Sequence, residues 1–157
     1  MPALADALPW VRAVHVVAAV LWIGGVGFVT TVLLPSVRRD QPPMRRLPVF
    51  LRIEEMFAWQ ARLTVAVVGV TGLWMLQAYG LWERFREARF WWMHAMALTW
   101  LVFALMLYVA EPLFLHRALA QARRPDRAFR LVVVLHWLLL AASLVTIVGA
   151  VAGAHGG

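Results

Sequence analysis

The stretch AVHVVAAVLWIGGVGFVTTVLL, Ala13–Leu34, decides the fold. It carries one ionisable side chain, His15, in an otherwise apolar run. A helix needs ~20 apolar residues, at ~1.5 Å each, to cross a ~30 Å hydrocarbon core. Three further runs of similar length follow, Leu63–Leu81, Phe90–Ala110 and Leu131–Ala152. They account for a hydrophobic content of 63% in a chain of 157 residues. In lipid each backbone must satisfy its own hydrogen bonds, so each run is expected to be helical. The expected fold is all-α, a four-transmembrane-helix up-down bundle. It forms one membrane domain over 1–157, with helices at about 10–35, 60–82, 89–115 and 128–153.

The connections support this order. Pro35, Pro42, Pro43 and Pro48 break up the longest one. Within it Met44–Gln60 mixes arginine, glutamate and bulky apolar residues, so part of it is expected to lie flat on the membrane. The short charged segment Trp82–Arg89 makes the second and third helices antiparallel neighbours. Asp126 is expected near the start of the fourth helix. The first apolar run is too long for the core of a cleaved signal, so it is expected to remain a membrane helix. The tail from Gly153, with His155, is expected to fray.

The net charge is +7, and every basic residue is arginine. Eleven arginines, among them Arg38, Arg39, Arg62 and Arg130, lie in or beside the first and third connections. Arg12, Arg84, Arg86 and Arg89 lie on the other side. This bias predicts a bacterial-type inner membrane protein with cytoplasmic first and third connections and both termini outward. The charge is expected to meet anionic lipid headgroups, not nucleic acid. With no cysteine, disulfides, thiolate metal sites, iron–sulfur clusters and covalent haem attachment are excluded. With no lysine, Schiff-base chemistry is excluded. Several of the nine tryptophans, Trp10, Trp82, Trp91 and Trp92, fall where an interfacial aromatic belt belongs.

Histidines carry the functional reading. An ionisable group in hydrocarbon is costly and marks a candidate site. His15 lies just inside the first helix and His94 just inside the third. Both helices run the same way, so the pair should sit at similar depth. One imidazole on each of two helices is what a bis-histidine haem b needs. Ala18, Ala19, Trp22 and Gly25 continue the His15 face; these small residues leave room for a flat cofactor or permit close helix contact. Trp22 is a candidate cofactor wall, or core packing with its indole N–H on a local partner. Arg12 shares the His15 face and would meet a haem propionate or a lipid headgroup. His136 should lie toward the opposite end beside Arg62, as a further candidate metal ligand. His116 with His136 is a conceivable second pair, and His136 with Glu111 a conceivable proton path. Copper is the alternative occupant, since Met75, Met93, Met96 and Met106 could add thioether ligands.

The segment Trp10-Val11-Arg12-Ala13-Val14-His15, followed by Trp22-Ile23-Gly24-Gly25, resembles the first helix of the CopD/HemJ-like membrane superfamily. That superfamily comprises copper-resistance D type proteins and HemJ-type protoporphyrinogen oxidases. Arg62-Leu63-Thr64 through Val70-Thr71-Gly72-Leu73-Trp74 resembles the CopD-type second helix. Trp92-Met93-His94 resembles the HemJ-type start of the third. The resemblance implies the four-helix membrane fold and haem b held by His15 and His94, with copper implied by the other branch. The HemJ pattern places lysines where this chain has Arg12 and Met96, and an Asn-Glu pair that the fourth helix lacks; this argues against porphyrinogen oxidation. The expected function is thus haem-linked electron transfer or oxidoreduction, with a redox partner. Copper handling, or a structural subunit of a larger membrane complex, is the alternative. Enzymatic activity, quinone binding and self-association are left open.

Overall fold

A computed structural model describes residues 2–154, with side chains from Leu8 to Gly153. His155 lies outside the described residues. No strand occurs among them, and four helical spans are long and apolar enough to cross a membrane: Leu8–Asp40, Pro43–Ala78, Ala88–Ala120 and Pro125–Gly153. The chain is therefore an all-α four-helix bundle of the multi-pass membrane type. Their 29 to 36 residues make each span longer than the ~20 residues a bilayer requires. The excess lies at the end that carries most of the arginines.

Prolines explain how the spans exceed expectation. Pro35 was expected to close the first helix. Instead the helix widens into a π turn at Val29–Leu33 and continues through Leu34–Asp40. Proline lacks an N–H and crowds the carbonyl four residues back, and a wider turn relieves that crowding. Thr30 and Thr31 hydroxyls donate to the carbonyls of Val26 and Gly27 inside the widened region, both at 2.7 Å. Met44–Gln60 is likewise not a separate surface helix. It is the first half of one continuous helix, Pro43–Ala78. Pro43 sits in the first turn, where a missing N–H costs nothing.

The second span packs against all three others, most extensively against the first; the third leans on the fourth. The first and third spans approach little through their backbones. They meet through the rings of Trp22 and Phe103, edge to face at 4.9 Å. Two cores form. One, at mid-depth, gathers Ala18, Trp22, Val65, Val68, Phe103 and Leu107. The other, at the arginine-rich end, gathers Leu34, Val37, Leu47, Phe50, Leu51, Phe129 and Val132. Leu34, Leu47 and Phe129 there are each 1% exposed, tighter than most of the mid-depth core. Lipid tails are as apolar as leucine, so only near water does the hydrophobic effect drive such burial. Leu21, Val70, Leu98, Leu138 and Val148 face outward, as lipid-facing residues should.

At the arginine-rich end Arg46 donates to the Gln41 carbonyl and pairs with Asp126 at 3.1 Å. Asp126 stands in the first turn of the fourth span, as expected, and also pairs with Arg130. At the opposite end Gly80 ends the second span with φ +63°, in the left-handed region. A β-branched residue there costs about 1–2 kcal/mol. Gly80→Val should therefore lower the thermal unfolding midpoint in detergent, whereas Tyr79→Phe should leave it unchanged.

Candidate functional site

The two histidines singled out by the sequence are held by different partners. His15 faces the second span, where its Nδ1 lies 2.8 Å from Thr71 Oγ1. The Thr71 hydroxyl has one proton, and it is directed at the Val67 carbonyl at 2.6 Å. Toward His15 the oxygen can therefore only accept. Nδ1 carries the imidazole proton, and Nε2 keeps the lone pair. Gly72 lies beside the ring, so near that an added Cβ would stand 3.3 Å from His15 Cε1. Ala18 is buried against the second span. The small residues beside His15 thus serve close helix contact at that level. One turn beyond Trp22 there is open space, since a Cβ at Gly25 would meet nothing within 4 Å.

His94 belongs to the connection instead. Its Nε2 is 2.9 Å from the Phe85 carbonyl and its Nδ1 is 3.3 Å from the Phe90 carbonyl. Its ring meets the Phe85 ring edge to face at 5.2 Å. His94 thereby ties the Leu81–Phe90 segment to the third span. Next to it, Trp91 and Trp92 lie over Gly149 and Gly153 of the fourth span. That glycine pair makes room for two indoles. His136 bonds the Val132 carbonyl through Nδ1 at 2.9 Å and meets Phe50 edge to face. It makes no hydrogen bond to Arg62 among the described residues, and the cavity lined by Arg62 and His116 does not include it.

Arg12 is exposed and lines a shallow apolar groove of about 490 Å³ with Pro9, Ala13, Val16, Val17 and Tyr79. A cation above an apolar furrow suits an amphiphile with an anionic head. Trp22 is buried, yet its Nε1 has no hydrogen-bond partner among the described residues. The expected local acceptor exists for Trp100, whose Nε1 donates to the Val65 carbonyl at 2.8 Å, but not for Trp22.

A second polar centre lies toward the arginine-rich end, and the sequence had shown only fragments of it. The third span widens into a long π segment, Met106–Leu115, around Pro112. In a π ladder the N–H of residue 112 would bond the carbonyl of residue 107, and proline has none to give. Arg62 of the second span supplies the missing donor: its Nε donates to the Leu107 carbonyl at 3.2 Å. Its Nη2 pairs with Glu111 Oε1 at 3.0 Å. Tyr108 returns a hydrogen bond from its hydroxyl to the Arg62 carbonyl. Glu111 Oε2 is buried without a hydrogen-bond partner among the described residues. A cavity of about 260 Å³ opens here, lined by Glu55, Ala58, Arg62, Glu111, Pro112, His116 and Arg117.

The residues fit a haem ligand at one position. His15 has the hydrogen-bonding pattern of a metal-binding imidazole, with Nδ1–H bonded to Thr71 Oγ1. The orphaned Trp22 N–H and the open space at Gly25 lie on the same face of the first span. His94 as placed presents both nitrogens to carbonyls. Among the described residues no three His, Cys, Asp or Glu side chains converge to hold a metal ion. Compared with known proteins, the chain matches no family model, no curated protein and no solved structure.

Proposed function

We propose that the chain is a haem b-binding membrane protein in which His15 would hold the haem iron. The observation that carries this reading is the His15–Thr71 hydrogen bond, which fixes the tautomer and leaves Nε2 to bind iron. Bound haem supplies one-electron redox chemistry. The chain supplies the rest. Thr71 orients His15, Gly72 makes room for its ring, and the apolar spans keep the dielectric low. Arg12 offers a cation to a carboxylate at the rim. His94 is the candidate second ligand, and its Nε2 must leave the Phe85 carbonyl to serve. The arginine excess reads as the cytoplasmic side of a bacterial-type inner membrane. His15 and both termini then face outward, where a redox partner would exchange electrons.

The test is the visible spectrum of the purified full-length protein, expressed with ample haem. A Soret band is expected in the wild type and its loss in His15→Ala. Thr71→Val keeps the shape but removes the acceptor, and should weaken haem retention roughly tenfold or more. His94→Ala should convert a six-coordinate spectrum to a five-coordinate one. A wild type without a Soret band sinks the reading. Stoichiometric copper in such a sample would favour copper handling instead.

A further inference from the structure

We propose that the arginine-rich tip of the bundle, where the first span turns into the second and the fourth begins, is a docking surface for an acidic protein in the aqueous phase. The tip lies at the opposite end from His15, so the inference is independent of the haem reading.

Height decides the class of partner. The second span is one helix of 36 residues, Pro43–Ala78. That is ~54 Å of helix against ~30 Å of hydrocarbon. Its exposed residues toward the outer end are apolar, Val70 and Leu73 among them, but Arg52 and Glu55 are exposed too. Charged side chains on an outer face do not stay in hydrocarbon. The membrane edge therefore falls between Glu55 and Leu63, where Trp59 stands 65% exposed. From Glu55 back to Arg45 the helix climbs a further ~15 Å, still ~11 Å at a tilt of ~40°. A headgroup layer is only ~5–7 Å deep. The Arg46–Asp126 pair brings the start of the fourth span to the same height, and the Arg46–Gln41 bond does so for the turn that follows Arg38 and Arg39. The tip thus stands in water, past the headgroups that its charge was expected to meet.

Residues 38–46 and 123–130 hold eight arginines and two aspartates. Both aspartates are taken, Asp40 by Arg39 and Asp126 by Arg46 and Arg130. Arg38, Arg45, Arg123, Arg124 and Arg127 are exposed, and their guanidinium groups have no partner among the described residues. Met44, 67% exposed, stands beside Arg45. Beneath them the core of Leu34, Leu47 and Phe129 holds the platform rigid, which lowers the ordering cost of binding. Guanidinium forks grip carboxylates through paired hydrogen bonds. Arginine and methionine are also the residues that protein interfaces favour. The one aromatic residue of the two segments, Phe129, is buried, so no ring is offered to stack on a nucleic-acid base. Charge and composition together fit an acidic protein surface with an apolar residue at its centre.

The test uses the full chain in phosphatidylcholine liposomes. It has no cysteine, so a fluorophore on Arg124→Cys or Trp59→Cys reports one height. The Trp59→Cys label should be quenched by headgroup-labelled lipid and the Arg124→Cys label should not; equal quenching overturns the proposal. A fluorescent glutamate-rich peptide with one central leucine is the binding probe, at ~0.15 M salt. Replacing Arg45, Arg123 and Arg124 together by glutamine should weaken its binding roughly tenfold. Met44→Ser should weaken it as well, but not the binding of a leucine-free version. Arg52→Gln, at the membrane edge, should change neither. Unchanged binding in the triple variant overturns the proposal. So does a loss in Arg52→Gln equal to that in Arg124→Gln, which would report net charge alone. Tighter binding of duplex DNA of equal charge would assign the tip to nucleic acid and overturn it too.

Discussion

Arg62→Ala should be among the most destabilising single changes in the bundle. The substitution strands two groups at once. Glu111, 13% exposed, loses its one ion pair among the described residues, and the Leu107 carbonyl loses the donor that Pro112 cannot provide. Breaking one partner of a buried ion pair costs about 3–5 kcal/mol. Arg62 is itself 37% exposed, so solvent screening reduces the expected loss to about 2–4 kcal/mol. Arg62→Lys should recover little, since an ammonium cannot reach a carbonyl and a carboxylate in the fixed fork geometry of guanidinium. The double replacement Arg62→Met with Glu111→Leu should recover much of the loss, because neither charge is then left alone. Unfolding in mixed micelles measures all four proteins. If Arg62→Ala unfolds with the wild type, the Arg62–Glu111–Leu107 junction does not hold the second and third spans together.

That junction also shows what a sequence withholds. Arg62 and Glu111 each stood out, one as a cation at the start of an apolar run and the other as an acid at the end of one. They were set beside His136, not beside each other. The missing information was the rotation of the third span. The π turn that opens at Met106 shifts the rotation of the residues within and after it, Glu111 among them, and a straight-helix projection does not carry that rotation. The Met44–Gln60 segment departs from expectation for a related reason. Four prolines around it suggested a broken surface segment, yet two of them fall where helices tolerate proline, and the helix runs unbroken from Pro43 to Ala78. The four spans themselves were legible because hydrocarbon thickness imposes their length. His15 was legible because polarity in lipid is rare. Its partner Thr71 was not, since the register between two helices depends on which small residues meet, here Gly72 against the imidazole. His94 looked equivalent to His15 by depth alone. Depth does not reveal direction, and the aromatic Phe85 and its carbonyl capture the ring from the connection side.

Gly69→Val should disrupt the centre of the bundle. An added Cβ at Gly69 would lie 2.5 to 2.9 Å from three atoms of the Trp100 indole, closer than any real contact. Neither side can yield cheaply. Gly69 is a buried mid-helix residue of the second span, and Trp100 is pinned by its hydrogen bond to the Val65 carbonyl one turn away. Moving the indole breaks that bond inside the apolar layer, where water offers no replacement. Overpacking costs about 1–3 kcal/mol, and an interhelical hydrogen bond in a membrane adds ~0.6 to 2. Gly69→Ala should already carry part of this cost. The decisive comparison pairs it with Trp100→Leu, which vacates the space. If clash with the indole is the cause, Gly69→Ala should destabilise the wild-type background yet cost little in Trp100→Leu. Equal destabilisation in both backgrounds would mean that glycine is needed there for the helix backbone and not for the tryptophan. The outcome bears on the His15 site as well. Gly69 and Trp100 fix how closely the third span approaches the second, one turn from Thr71 and Gly72. Loss of that approach should loosen the His15 imidazole without touching any atom bonded to it.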